Sequence, residues 1–133
     1  MKKIALFPGS FSPFTNGHLH ILKKSLEVVD FVYIGIGINE NKDEKKMLKL
    51  EERKKIIERK TKNIKNIKIS SYEGLTIDFC IKHKIQFMIR GLRDKEDFEF
   101  EKYIYNVNQS INKNIETIYF MSDKDKSKIR SSS

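Results

Sequence analysis

The chain has no tryptophan, one alanine (Ala5), one cysteine (Cys80), two prolines and six glycines among 133 residues. Each scarcity excludes something. A single cysteine cannot form an internal disulfide and fits a reducing compartment. It falls in an apolar pattern with Ile77 and Ile81 and reads as core. No apolar run is long enough to span a bilayer. The pair Lys2-Lys3 leads straight into the first apolar run, without a signal-peptide pattern. The expectation is therefore a cytoplasmic protein with no membrane partner. Acidic residues do not balance basic ones: 18 Asp and Glu stand against 27 Lys and Arg, a net charge of +9. That excess invites a nucleic-acid reading. However, the lysines are scattered instead of gathered in a stripe, and the lack of alanine beside abundant Lys, Ile and Asn fits a compositional bias, so no nucleic-acid partner is expected. The few glycines form no Walker A motif. Gly35 and Gly37 begin a G-x-G, but position 40 is Glu40 and both lie inside an apolar run, so the dinucleotide fingerprint fails. These two glycines are expected to allow close helix–sheet packing.

What is present is a regular alternation. Strands are predicted at Lys3–Phe7, Phe31–Ile38, Ile67–Ser70, Phe87–Ile89 and Thr117–Met121. Helices are predicted at Gly17–Val29, Leu50–Lys60, Thr76–His83 and Asp97–Asn112. The last has Phe100, Ile104, Val107 and Ile111 on one face and Asp94, Glu96, Asp97 and Glu99 crowding its start, which suits the helix dipole. Five βα alternations predict one α/β domain over residues 1–133, an open five-stranded parallel sheet with right-handed crossovers and helices on both faces. In such sheets ligands bind beyond the carboxyl ends of the strands. The polar residues follow that rule: Ser10 and Ser12 after the first strand, Asn39 and Lys42 after the second, Tyr72-Glu73-Gly74 after the third, Arg90 and Arg93 after the fourth, Ser122-Asp123-Lys124 after the fifth.

Both prolines lie in the segment Pro8-Gly9-Ser10-Phe11-Ser12-Pro13-Phe14-Thr15-Asn16-Gly17-His18. It joins a strand to a helix N-terminus, whose unpaired N–H groups and positive dipole end favour phosphate. A histidine in that first turn adds a directed donor. The expected ligand is phosphorylated.

Thr15-Asn16-Gly17-His18 matches the [H/T]-x-G-H signature of the nucleotidyltransferase superfamily. The longer string from Pro8 to His18 resembles bacterial phosphopantetheine adenylyltransferase. So do Ile89-Arg90-Gly91-Leu92-Arg93, Asp97-Phe98-Glu99-Phe100-Glu101, Leu50-Glu51-Glu52-Arg53, Glu73-Gly74-Leu75-Thr76-Ile77-Asp78-Phe79 and Ile129-x-Ser131-Ser132. The resemblance is collinear over nearly the whole chain. It implies a Rossmann-like nucleotidyltransferase fold and transfer of AMP from Mg-ATP to 4′-phosphopantetheine, giving dephospho-coenzyme A and pyrophosphate, in a homo-oligomer that the family builds as a hexamer. The four-residue signature alone leaves two alternatives. One is another nucleotidyltransferase, such as a glycerol-phosphate cytidylyltransferase or a nicotinate-mononucleotide adenylyltransferase. The other is a non-catalytic nucleotide-binding module.

The resemblance also implies roles. His18 would be the main transition-state contact, Ser10 would lie between nucleotide and acceptor phosphate, and Lys42 and Arg90 would be the acceptor-side cations. Thr76 and Asn108 match positions touching the pantetheine arm. On the nucleotide side stand Phe11, Gly91 (admitting backbone close to the ligand), Leu92, Arg93 and Glu101, an acid that could meet a ribose or adenine amine. The closing loop would be Lys126, Ser127, Lys128, Ile129, Arg130, Ser131 and Ser132. Magnesium would arrive on the ATP phosphates; no carboxylate cluster offers a resident metal site. His20 and His83 read as surface histidines, and His18→Ala is expected to cost turnover with little loss of stability. The sequence departs from the family at Lys126, usually aromatic, and at Arg130, usually serine. It also stops before the family's C-terminal helix.

Overall fold

A computed structural model describes residues 2–38 and 47–121. Five strands and four helices alternate among them: β1 (Ile4–Gly9), α1 (Asn16–Val28), β2 (Phe31–Ile38), α2 (Leu50–Lys60), β3 (Ile67–Glu73), α3 (Thr76–Lys82), β4 (Phe87–Leu92), α4 (Lys95–Ile111) and β5 (Glu116–Met121). The strands form one sheet in the order β3-β2-β1-β4-β5, and every pair is parallel. The order reverses between β1 and β4, so the crevice at that switch point is where a doubly wound sheet binds its ligand.

Alternation along the strands sends side chains to two cores. Ala5, Phe7, Val32, Ile34, Ile36 and Ile89 pack with Ile21 and Leu22 of α1 and Ile57 of α2. Leu6 and Met88 pack with Ile77, Phe79 and Cys80 of α3 on the other face. There α4 also leans on the sheet, with Asn108 Nδ2 3.9 Å from Met88 Sδ. Of the inward face that the spacing predicts, Ile104 is half-buried but Phe100, Val107 and Ile111 are exposed by 61%, 39% and 47%. With Tyr103, 65% exposed, they form a stripe that faces outward.

Three strands run further than sequence predicts. β1 continues through Pro8 and Gly9, paired to β2 as far as Gly9↔Ile36, whereas its pairing to β4 ends at Leu6↔Met88. A proline cannot donate to a ladder, so it is tolerated where pairing on one side has already stopped. β3 runs on to Glu73 because the ring of Tyr72 lies over the two glycines of β2. A Cβ at Gly35 would sit 3.1 Å from that ring and 2.7 Å from Leu6 Cδ1; one at Gly37 would sit 3.4 Å from the Tyr72 hydroxyl. Those glycines therefore make room for side chains on the sheet and not for a helix. β4 includes Arg90, Gly91 and Leu92, paired to Tyr119, Phe120 and Met121 of β5. α2 falls where predicted, and the other helices differ by one or two residues: α1 starts at Asn16, and α4 starts after Asp94, whose carboxylate caps Asp97 N–H at 2.9 Å.

Candidate active site

The loop between β1 and α1 is built on buried aromatic rings. Phe11 and Phe14 are 3% and 0% exposed and stack edge-on at 5.3 Å between centroids, and Phe11 meets Phe7 at the same distance. Phe11 adopts a left-handed backbone with φ of 49°, uncommon for a bulky residue. Its ring is thus inside the protein, and what it offers a ligand is backbone. Three contacts from around α2 clamp the loop. Arg53, 2% exposed, donates from Nη1 to the Ser10 carbonyl at 3.0 Å; Leu48 N–H donates to Ser12 Oγ at 2.7 Å; Lys60 Nζ donates to Asn16 Oδ1 at 3.0 Å. Sequence reading assigned Arg53 no role. It sits in a run of charged residues, Glu51 to Lys55, that looks like a solvated face.

His18 occupies the third position of α1 and completes a capping box, with histidine where glutamate or glutamine is usual. The Thr15 N–H donates to His18 Nδ1 at 2.9 Å, and His18 N–H donates back to Thr15 Oγ1 at 3.3 Å. A nitrogen that accepts a backbone N–H carries no proton, so the proton of the neutral ring is on Nε2. The ring lies against Phe11 at 5.0 Å, Phe14 at 5.4 Å and Phe7 at 6.1 Å. Burial, then the charges of Arg93 and Lys60, hold its pKa below the usual 6.5. His18 is thereby a neutral donor presented at a helix N-terminus.

A cavity of about 660 Å³ opens at the switch point between β1 and β4. Ser10, Phe11, His18, Arg90, Gly91, Arg93 and Glu101 all line it, so seven of the expected residues meet in one place. Arg90 donates from Nε to both carboxylate oxygens of Glu101, at 2.6 and 3.1 Å. Arg93 donates from Nε to Asp97 Oδ2 at 3.0 Å, which raises its already high pKa. Gly91 lines the cavity, and a Cβ there would also meet Ile21 Cδ1 of α1 at 2.5 Å. Leu92 is buried and does not line the cavity. Thr76 shares a hydrogen bond with the Tyr72 hydroxyl at 2.9 Å, and Asn108 meets Met88; neither lines it. His83 is half-buried instead of a plain surface residue, stacked on Phe79 at 4.2 Å; His20 is exposed. Lys42 and residues 126–132 lie outside the described residues.

A neutral imidazole donor, two guanidinium groups, a serine and a helix N-terminus around one crevice suit the transfer of a phosphorylated group by alignment and charge stabilisation. The fold and this site define a nucleotidyltransferase. The cytidylyltransferase-like family model matches residues 6–133. Curated relatives named phosphopantetheine adenylyltransferase include one from Clostridium tetani, 42% identical over 130 residues (98% of this chain, 80% of the relative), and one from Flavobacterium psychrophilum, 46% identical over 128 residues (96% and 83%). The chain belongs to the phosphopantetheine adenylyltransferase family, within the cytidylyltransferase-like nucleotidyltransferases. Solved structures share the fold at lower identity. A bifunctional NMN adenylyltransferase/ADP ribose pyrophosphatase from Francisella tularensis gives a TM-score of 0.68 at 21% identity over 94% of this chain and 39% of that one. Plasmodium falciparum nicotinic acid mononucleotide adenylyltransferase gives 0.67 at 16%, over 98% and 70%.

Proposed function

We propose that this protein transfers the AMP part of ATP to the phosphate of 4′-phosphopantetheine, in the biosynthesis of coenzyme A. An acceptor phosphate oxygen attacks the α-phosphorus in line. The bond from the α-phosphorus to the oxygen bridging to the β-phosphate breaks, and pyrophosphate leaves with that oxygen. The nucleophile is already anionic, so the reaction needs no general base. It needs two mutually repelling phosphates held in line and charge stabilised at the α-phosphate. The observation that carries this reading is His18, whose Nδ1 is filled by the Thr15 N–H and whose Nε2–H is left for an α-phosphate oxygen. Ser10 stands between the two phosphates, Arg90 and Lys42 hold the acceptor, and Arg93 holds the nucleotide together with the 126–132 segment. Thr76 and Asn108 take the pantetheine arm beyond the cavity.

Magnesium comes with the nucleotide. The cavity's carboxylates, Asp97 and Glu101, are bonded to Arg93 and Arg90, and the described residues hold no cluster of three metal-binding side chains. These two described carboxylates are therefore engaged by arginine and are not offered to an ion. The outward apolar stripe of α4 is compatible with the hexamer implied by resemblance. No described helix is long and apolar enough to cross a membrane, in keeping with a cytoplasmic enzyme.

The test is pyrophosphate release from Mg-ATP with 4′-phosphopantetheine, glycerol phosphate or nicotinate mononucleotide as acceptor. Release confined to phosphopantetheine supports the reading. Release with another acceptor, or with none while ATP still binds, overturns it.

A further inference from the structure

We propose that Arg53 is a positioning residue for the nucleotide's phosphates: it holds the peptide between Ser10 and Phe11 turned so that the Phe11 N–H serves the cavity. The inference rests on the reading that ATP phosphates occupy that cavity. Arg53 does not line it. The side chain is buried, 2% exposed, and reaches from α2 to donate from Nη1 to the Ser10 carbonyl at 3.0 Å. The carbonyl and the N–H of a trans peptide point in opposite directions. With the Ser10 carbonyl drawn towards α2, the Phe11 N–H is turned the other way, at a residue that lines the cavity while its ring packs in the core. Among the described residues that N–H has no hydrogen-bond partner.

The orientation is strained. Phe11 has φ of 49°, a left-handed value disfavoured for a bulky residue. Rotating the Ser10–Phe11 peptide by half a turn would bring that φ to about −130°, ordinary extended backbone, and would point the N–H away from the cavity. The ring contacts of Phe11 with Phe7 and Phe14 fix the side chain but not this plane, which turns about the two flanking Cα atoms. Of the three contacts that clamp the loop, the one from Arg53 acts on this peptide, whereas Leu48 and Lys60 hold the side chains of Ser12 and Asn16. A strained backbone persists where its surroundings over-determine it, and here the buried guanidinium does so. A charged donor on the carbonyl also polarises the peptide and strengthens its N–H as a donor to a phosphate oxygen.

The experiment compares wild type with Arg53→Met, which keeps most of the stem and removes the donor. Magnetic resonance follows the Phe11, Thr15 and Leu48 amides of the full chain as Mg-ATP, inorganic pyrophosphate or adenosine is added. Calorimetry reads the affinities, and thermal melts check each fold. In wild type the Phe11 amide should move further with ATP and pyrophosphate than with adenosine. In Arg53→Met the Thr15 and Leu48 amides, which report other bonds of the loop, should keep their places while Phe11 loses its response. ATP should then bind about 10- to 100-fold more weakly, the scale of one hydrogen bond to a charged group, with adenosine changed less than about threefold. Arg53→Lys, which keeps one donor, should fall between the two, and it carries the comparison where methionine does not fold. A wild-type Phe11 amide that ignores ATP and pyrophosphate overturns the proposal without any variant. Equal losses for ATP and adenosine, or Thr15 and Leu48 amides displaced along with Phe11, would mean that Arg53 only keeps the loop folded, and overturn it too. An inactive wild type would strike the assigned reaction alone, since the amide response to pyrophosphate still reports what Arg53 positions.

Discussion

Replacing His18 with alanine separates its two jobs. The chemical job proposed above is that of a single preorganised donor to charge developing at the α-phosphate. Removing one such donor typically costs about 10²–10³ in turnover, roughly 2.7–4 kcal/mol. The structural job is larger than the sequence implies, because the ring also accepts the Thr15 N–H and packs against three phenylalanines. Losing half of a capping box and these ring contacts at a half-open site costs about 1–2 kcal/mol. For a chain of this size that lowers the melting temperature by about 4–8 °C. It leaves the protein folded at 25 °C, because native domains hold roughly 5–15 kcal/mol. A hundredfold loss of pyrophosphate release at saturating substrates therefore cannot come from unfolding. His18→Gln serves as the control, since glutamine is an accepted partner in a capping box. It should regain part of the melting temperature while turnover stays at least about tenfold down. A folded His18→Ala protein that turns over within tenfold of wild type would refute the reasoning.

The remaining predictions use the same neighbourhood. The pKa of His18 is held below 6.5 in the folded state, so as pH falls below 6.5 the unfolded chain takes up a proton that the folded one refuses. This histidine's share of stability is complete above pH 6.5 and declines below it; a pH series of melts should show that slope shrinking in His18→Ala. Activity should follow, with kcat/KM for ATP, which reports the free enzyme, level through pH 6.5 and falling only at lower pH. Arg53→Met should keep the helix but orphan the Ser10 carbonyl, costing about 1–3 kcal/mol of stability and raising KM for ATP; unchanged KM would mean the loop is held without it. Burial pushes the Cys80 thiol up to about 12, so iodoacetamide at pH 8 should label it only in denaturant, and rapid native labelling would contradict its place in the core.

The nine elements among the described residues are legible in the sequence because their apolar periods are regular and the cavity residues cluster in the loops that follow strands. Most of what is missed depends on which distant chain segment packs against a residue. The extension of β4 through Gly91 and Leu92 comes from pairing with Phe120 and Met121 of β5. The burial of Arg53 requires the Ser10 carbonyl above it. His18 as a capping residue is obscured because the familiar pattern has glutamate or glutamine at that place. Glu101 looks like dipole complement or ligand from its helix position alone, and only the register of β4 against α4 shows its arginine.

These pieces explain how a cavity holding two arginines and a histidine stays ordered before any phosphate arrives. Two guanidinium groups and a histidinium facing one crevice would repel each other, and nothing in the empty site would aim them. The chain answers in two ways. Each arginine is tied to a carboxylate from α4, Arg90 to Glu101 and Arg93 to Asp97, which offsets charge and fixes orientation together. The histidine is kept neutral by burial and by the charges of Arg93 and Lys60, and it contributes a dipole instead of a third charge. The two pairs are not equivalent. Arg90 and Glu101 show 26% and 8% side-chain exposure, against 69% and 27% for Arg93 and Asp97. A buried pair is weakly screened and rigid, whereas an exposed i,i+4 pair contributes little and exchanges readily with water or ligand. The site thus combines one cation set in place beforehand with one free to follow its substrate. Under the roles proposed above, the set Arg90 would seat the acceptor phosphate while the yielding Arg93 follows the nucleotide.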